Sequence, residues 1–201
     1  MLSLILDTST ELCLIALAKG PHIIAQEVFP HRNLLSKNLL PSIQNLLQKH
    51  ALSPKDLKAI ALGIGPGSYT GTRLGASVGK SLAFALNLPL KTFSSLLAFL
   101  PSREGTFASL LPTRAGAFFL LKGKISASAI HPESPLLLSP QELAQAVADV
   151  DFFVAPSGTP EMKGRPVFLP EPNFQTLRLY LAQCPTIAPE DAEVLYLHNP
   201  F

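Results

Sequence analysis

The chain has 201 residues, 47% of them hydrophobic and 15% charged, and carries a formal charge of +2. That length buries a core without disulfides or metals, and the near balance of charge, with no cluster of Lys and Arg, excludes a protein built to track nucleic acid by itself. Cys13 and Cys184 are the only cysteines, too few for a disulfide framework or a four-thiolate metal site, so both read as core thiols of a reducing compartment.

The opening stretch 1–20 is apolar but has no basic leader and is interrupted by Asp7 and Glu11, so it does not read as a signal peptide. No run reaches the roughly 18 apolar residues of a membrane-spanning helix, and a cytoplasmic protein with no membrane association is expected. Leu2 to Leu6, Glu11 to Ala18 and Ile23 to Phe29 read as a strand meander. Leucines and Ile43 at 35, 39, 43 and 46/47 mark one face of a helix over 33–50. Pro41 falls inside it and predicts either a kink or a break into two shorter helices.

Ala59 to Gly65 reads as a strand, Tyr69 to Asn87 as a helix and Leu88 to Phe93 as a strand. A composition change at 101–105 divides the chain into an expected first subdomain, 1–100, and a smaller second one, 101–201. In the second, Thr106 to Leu111, Ala117 to Lys122 and Ile125 to Ile130 are predicted strands. A helix over Pro140 to Val150 and a strand over Asp151 to Val154 follow. Then come a proline-rich loop over 156–172 and a helix over Phe174 to Gln183. The order predicts an α/β protein with mixed sheets flanked by helices, compatible with the ribonuclease-H-like or actin-like layout.

Two segments are candidates for chemistry. The turn Asp7-Thr8-Ser9-Thr10 offers a carboxylate and hydroxyls that can orient Mg²⁺ and a nucleotide phosphate, although the same residues dominate ordinary turns. The loop GIGPGSYTGTR, Gly63 to Arg73, lies at a strand-to-helix turn that can present amides to an anion or let another backbone approach closely. Asp7, Thr8, Ser9, Gly65, Gly67 and Ser68 form the candidate nucleotide site, with Ser68 or Thr70 as a helix cap. Gly79-Lys80-Ser81 lacks the spacing of a Walker lysine motif.

Gly71, Gly75, Gly79 and Ala83 recur every fourth residue. Each interior glycine costs about 1 kcal/mol relative to alanine, so the row implies that something packs on it at short range. That something is either the chain's own sheet or first helix, or a partner protein. Histidines 22, 31, 50, 131 and 198 show no metal spacing, and Ser68 lacks the flanking glycines of a serine-nucleophile elbow.

The motifs ILDTST, GPGSYTGTRLG and AEVLYLHNP together resemble the TsaB family, formerly YeaZ, which serves the formation of threonylcarbamoyladenosine in tRNA. The resemblance implies an actin-like, or acetate-kinase/Hsp70-like, two-part fold. It also implies a noncatalytic subunit that binds and activates a TsaD-type transferase, with a TsaE-type ATPase as a further partner. In the catalytic paralogue a His-x-x-x-His metal motif follows the helix; Ser95 and Phe99 stand there in this chain. Pro112-Thr113-Arg114 replaces the Asp-Ala-Arg common in the family.

By the same resemblance the two N-terminal helices bind TsaD, or a second copy in a homodimer. Leu35, Leu39, Ile43, Gly71, Arg73, Gly75, Gly79 and Ala83 are the partner-binding residues so implied. No cofactor is expected on the chain alone, with ATP and Mg²⁺ entering the assembled complex and tRNA as the complex's substrate. The competing reading is a small actin-like ATPase or phosphotransferase that uses the Asp7 turn and the glycine loop; a metalloprotease is a poor third.

Overall fold

The computed structural model describes residues 1–30, 35–157, 159 and 164–197, with Leu35 described in its backbone only. The chain divides into two units, Met1–Ser95 with Cys184–Leu195, and Leu96–Gln183 with Tyr196–Phe201. The division expected at residue 100 differs from this in placing 184–195 with the second half. That segment carries no periodic pattern of its own, and its allegiance is decided by tertiary contacts.

In the first unit, β1 (Leu2–Asp7), β2 (Leu12–Lys19) and β3 (His22–Pro30) form the antiparallel meander. Parallel strands β4 (Ala59–Gly63) and β5 (Leu90–Phe93) complete a sheet of order β3-β2-β1-β4-β5. β1, β2 and β4 read as nearly continuous apolar runs because they are buried on both faces. Helix α1 (Leu35–Lys49) runs unbroken through Pro41 and lies on β2 and β3, and α2 (Tyr69–Leu86) lies on β1 and β4. Asn33, where the first helix was expected to start, lies outside the described residues.

Leu39, Ile43, Leu46 and Leu47 of α1 join Leu4, Leu6, Ile15, Leu17, Ile60 and Leu62 in one core. Helix α2 starts at Ser68, whose hydroxyl accepts from the Gly71 amide at 3.3 Å. It ends where Asn87 turns left-handed at φ 53°, a conformation that Asn tolerates better than most residues.

The second unit holds β6 (Gly105–Pro112), β7 (Phe118–Ile125), β8 (Ile130–Pro132), β9 (Leu136–Leu138), β10 (Phe152–Val154) and β11 (Val167–Phe168). Their order is β11-β10-β6-β7-β8, with β9 also paired to β7. The expected strand over Ile125 to Ile130 does not form. Ile125 closes β7, the Ser126 amide and hydroxyl both donate to the Ala129 carbonyl to close a turn, and β8 begins at Ile130.

Helix α3 (Pro140–Ala146) is shorter than the expected run to Val150. Its start is a capping box in which Ser139 and Glu142 bond reciprocally, and the carbonyls just past its end are taken by the Arg165 guanidinium, which donates to Val147 O at 2.7 Å and to Ala148 O. Helix α4 (Phe174–Gln183) has the expected bounds. The mixed two-part α/β layout predicted from the sequence is the one observed.

Candidate functional site

The Asp7 turn and the glycine loop meet at the carboxyl ends of β1 and β4, the edge where open α/β sheets place their sites. Asp7 is 1% exposed, and its Oδ1 accepts from the Ser9 amide at 2.8 Å. Oδ2 and the Ser9 hydroxyl, both buried, have no hydrogen-bond partner among the described residues. Burial pushes the Asp7 carboxyl above the ordinary carboxylate range, opposed by the Ser9 amide and by the nearby Ser9 and Ser95 hydroxyls and Thr8 backbone. Cys13 on the adjacent strand is pushed up to about 12 by burial, with the Asp7 and Glu27 charges adding to it.

The glycines of the loop are required by what touches them. A Cβ on Gly63 would stand 2.3 Å from Asp7 Cγ, one on Gly67 2.0 Å from the Ser9 carbonyl oxygen, and one on Gly75 2.4 Å from Thr8 Oγ1. Real Cβ atoms do not approach so closely, so any side chain there would force the turn and the loop apart. Polar contacts hold the same arrangement. The Ser68 amide donates to Ser9 O at 2.6 Å, and the Thr8 hydroxyl donates to Gly71 O at 2.6 Å. Ser95, fully buried, accepts from the Gly65 amide at 3.0 Å and donates its own amide to Gly65 O at 2.8 Å.

The residues of the candidate nucleotide site, Asp7, Thr8, Ser9, Gly65, Gly67 and Ser68, are thus brought together. In this arrangement they pack against one another. The space before Gly67 is filled by the Ser9 backbone, and the Ser68 amide that would face an anion is already given to Ser9. Among the described residues no group of three or more His, Cys, Asp or Glu side chains is placed to hold a metal ion. His31 and His198 lie outside the described residues.

The row Gly71, Gly75, Gly79 and Ala83 faces the chain's own sheet. Gly75 lies on Thr8 and Gly79 on Leu62, where a Cβ would meet Cδ1 at 3.0 Å. Leu39 and Ile43 are likewise core residues, so of the residues expected to line a partner surface and described here, only Arg73 is exposed. The side chain of Leu35 lies outside the described residues. The physical reason is that a row of small residues marks close packing without saying against what, and the sheet takes it.

The opposite face of α2, half a turn away, carries Tyr69, Arg73, Ser77 and Phe84 outward. Phe84 is 80% exposed and Tyr69 59%, and the Arg73 guanidinium stacks 3.7 Å from the Tyr69 ring centre. On α1, Leu40 is 49% exposed. The sequence reading passed over Phe84 and Leu40, although a phenylalanine placed opposite a glycine row was the available signal. Among the described residues no helix is long and apolar enough to cross a membrane.

Comparison with known proteins defines the class first. The structure superposes on YeaZ from Pseudomonas aeruginosa with a TM-score of 0.82 at 26% identity, covering 98% of this chain and 99% of that one. A second Pseudomonas aeruginosa structure, described as an uncharacterized protein with similarity to peptidase YEAZ, gives 0.81 at 25% identity over the same shares of 98% and 99%. The family model of TsaD, tRNA N6-adenosine threonylcarbamoyltransferase, matches residues 29–113.

The particular relatives carry the name tRNA threonylcarbamoyladenosine biosynthesis protein TsaB. The Bacillus subtilis protein is 36% identical over 96 residues, which is 48% of this chain and 42% of that one. The Haemophilus influenzae protein is 40% identical over 96 residues, 47% of this chain and 40% of that one. The matched stretch spans about two fifths of the length of these curated relatives. Over the matched stretch this chain is similar to proteins named TsaB, and over nearly its whole length its fold is that of YeaZ.

Proposed function

We propose that this chain is a noncatalytic, cytoplasmic subunit that binds and activates a TsaD-type transferase in forming threonylcarbamoyladenosine in tRNA. The observation that carries the reading is the outward face of α2, where Tyr69, Arg73 and the 80% exposed Phe84 line up along the helix with the small Ser77 between them, and one cation–π contact stiffens the strip. Aromatic residues and arginine are the side chains that dominate protein interfaces, because they bury large area at small entropic cost. Leu40 on α1 adds apolar surface to the same unit. A stable complex buries roughly 1,200 to 2,000 Å², and two exposed helices are of the size to supply one side of it.

The glycine row has a supporting role in this reading. By letting α2 settle on β1 and β4, it fixes the angle at which the outer face is presented. A second copy of the chain uses the same face when no transferase is present. The TsaE-type ATPase, ATP and Mg²⁺ belong to the assembled complex, and tRNA is the substrate of that complex.

The test is co-purification with the TsaD-type transferase, followed by tRNA modification assayed with and without this chain. Phe84→Glu, at a position on the outer face, should weaken the complex by tenfold or more, as truncation of an interface anchor costs about 2 kcal/mol. Its melting temperature should match that of the parent. Unchanged affinity in Phe84→Glu and in Arg73→Glu would remove the α2 face from the interface. Nucleotide hydrolysis by the isolated chain, abolished by Asp7→Ala, would replace the reading with the actin-like phosphotransferase.

A further inference from the structure

The segment Cys184–Leu195 returns to the first unit after the second has been traversed. It is fastened at each end and in the middle. Ile187 exchanges two backbone bonds with Leu90, at 3.1 and 2.8 Å, and so pairs with β5, the strand at the end of the first sheet. An edge strand left bare is a template for unwanted pairing, and the bridge occupies part of it. The Cys184 thiol donates to Thr92 O at 3.3 Å on the same strand. Ala192 is buried in the first unit's core, and Ile187 and Val194 pack against it.

The middle fastening uses a residue that the nucleotide motif left without a role. Lys80 projects from α2 and donates its ammonium group to Ala192 O at 2.9 Å and Glu190 O at 3.4 Å. At the far end the Leu195 amide donates to Ile64 O at 2.8 Å. The Leu195 carbonyl lies so near Gly65 that a Cβ there would stand 3.3 Å from it. Ile64 and Gly65 are the residues that lead from β4 into the glycine loop, and they are bonded on their other side to Phe93 and Ser95.

We propose that 184–195 is a strap that locks the glycine loop and the first turn of α2 in place, and whose release is a conformational control on that helix. Without the strap, Ile64 loses the bond from Leu195, Lys80 loses its carbonyl partners, and the entry to the loop is held from one side only. The amides of Ile64, Gly65, Ser68 and Thr72, which bond Phe93 O, Ser95 Oγ, Ser9 O and Ser68 O, report the change. This inference concerns the first unit alone and stands whether or not the α2 face binds a transferase.

Hydrogen exchange on the full-length chain tests it, with Leu195→Pro removing the amide donor and Lys80→Met removing the ammonium. The expected result in Leu195→Pro is exchange about tenfold faster or more at Ile64, Gly65, Ser68 and Thr72, while the amides of β1 and β2 keep their parental rates. Lys80→Met should accelerate the same amides by a smaller factor, about threefold, and Lys80→Arg should restore them. If Leu195→Pro does not fold, the Lys80 pair decides. Rates unchanged at the loop, or raised equally at the loop and in β1 and β2, would overturn the proposal.

Discussion

Gly75→Ala is the most informative single substitution in this chain, because two simple expectations about it have opposite signs. In an exposed helix the change gains about 1 kcal/mol of helix propensity. Here the added Cβ would stand 2.4 Å from Thr8 Oγ1, and that hydroxyl is itself bonded to Gly71 O at 2.6 Å. Overpacking a tight contact costs about 1 to 3 kcal/mol, and displacing a buried hydrogen bond costs about 1 kcal/mol more. The sum is a net loss of about 1 to 3 kcal/mol, or roughly 2 to 12 °C in the melting temperature of a chain this size.

Gly79→Ala is the built-in control. Its Cβ would meet only the tip of the Leu62 side chain, at 3.0 Å, and a leucine can give by a few tenths of an ångström, so gain and loss nearly cancel. Thermal and urea unfolding followed by far-UV circular dichroism compares the two variants directly. In a Thr8→Ala background the obstacle to Gly75→Ala is gone, and the double-mutant cycle should show a coupling of about 1 kcal/mol or more. A Gly75→Ala protein as stable as its parent would refute the assignment of this helix face to the chain's own sheet, and a Gly79→Ala protein equally destabilised would show that Leu62 does not give way.

Two further outcomes follow from the buried ionisable groups. The Asp7 pKa is raised in the folded state above the ordinary value of 3.8, so the folded chain binds the proton more tightly than the unfolded one. The stability this contributes is present below pH 3.8 and is lost as pH rises through the folded value. Asp7→Asn keeps the acceptor for the Ser9 amide and removes the charge. Its melting temperature should gain on the parent as pH is raised, and a gain independent of pH would show that the carboxyl's pKa is not raised by folding. Cys13, at about 12, should resist alkylation in the folded chain at neutral pH and react only on unfolding, as mass spectrometry after an iodoacetamide pulse would register; labelling as fast as that of the half-buried Cys184 would contradict its burial.

Much of the fold was legible because its elements are long and periodic. The strands before residue 30 alternate or run apolar without interruption, α2 is bounded by a serine cap and a left-handed asparagine, and α4 has its predicted limits. The strands that were missed or misplaced, β8, β9 and β11, span only Ile130–Pro132, Leu136–Leu138 and Val167–Phe168. Strands so short are defined by their neighbours in the sheet and leave no period to read.

The site was legible in part for a different reason. Asp7, Ser9 and the loop glycines do meet, but residue types alone do not distinguish a loop that cradles an anion from one that closes on its own turn. The distances at Gly63, Gly67 and Gly75 show the loop and α2 packed closely on that turn. Phe84 was passed over because a phenylalanine among small residues gives no sign of its direction until the opposite helix face is known to be occupied.

The strap has a consequence for synthesis. The ribosome delivers Met1–Ser95 first, yet Cys184–Leu195 emerges only after Leu96–Gln183 has been made. Until then the free edge of β5, the core positions awaiting Ile187 and Val194, and the unbraced entry to the glycine loop stay open on the nascent chain. The earliest-made half is the last to be finished. Its window for capture by chaperones, or for mispairing with another nascent copy, is set by the time taken to translate the second unit.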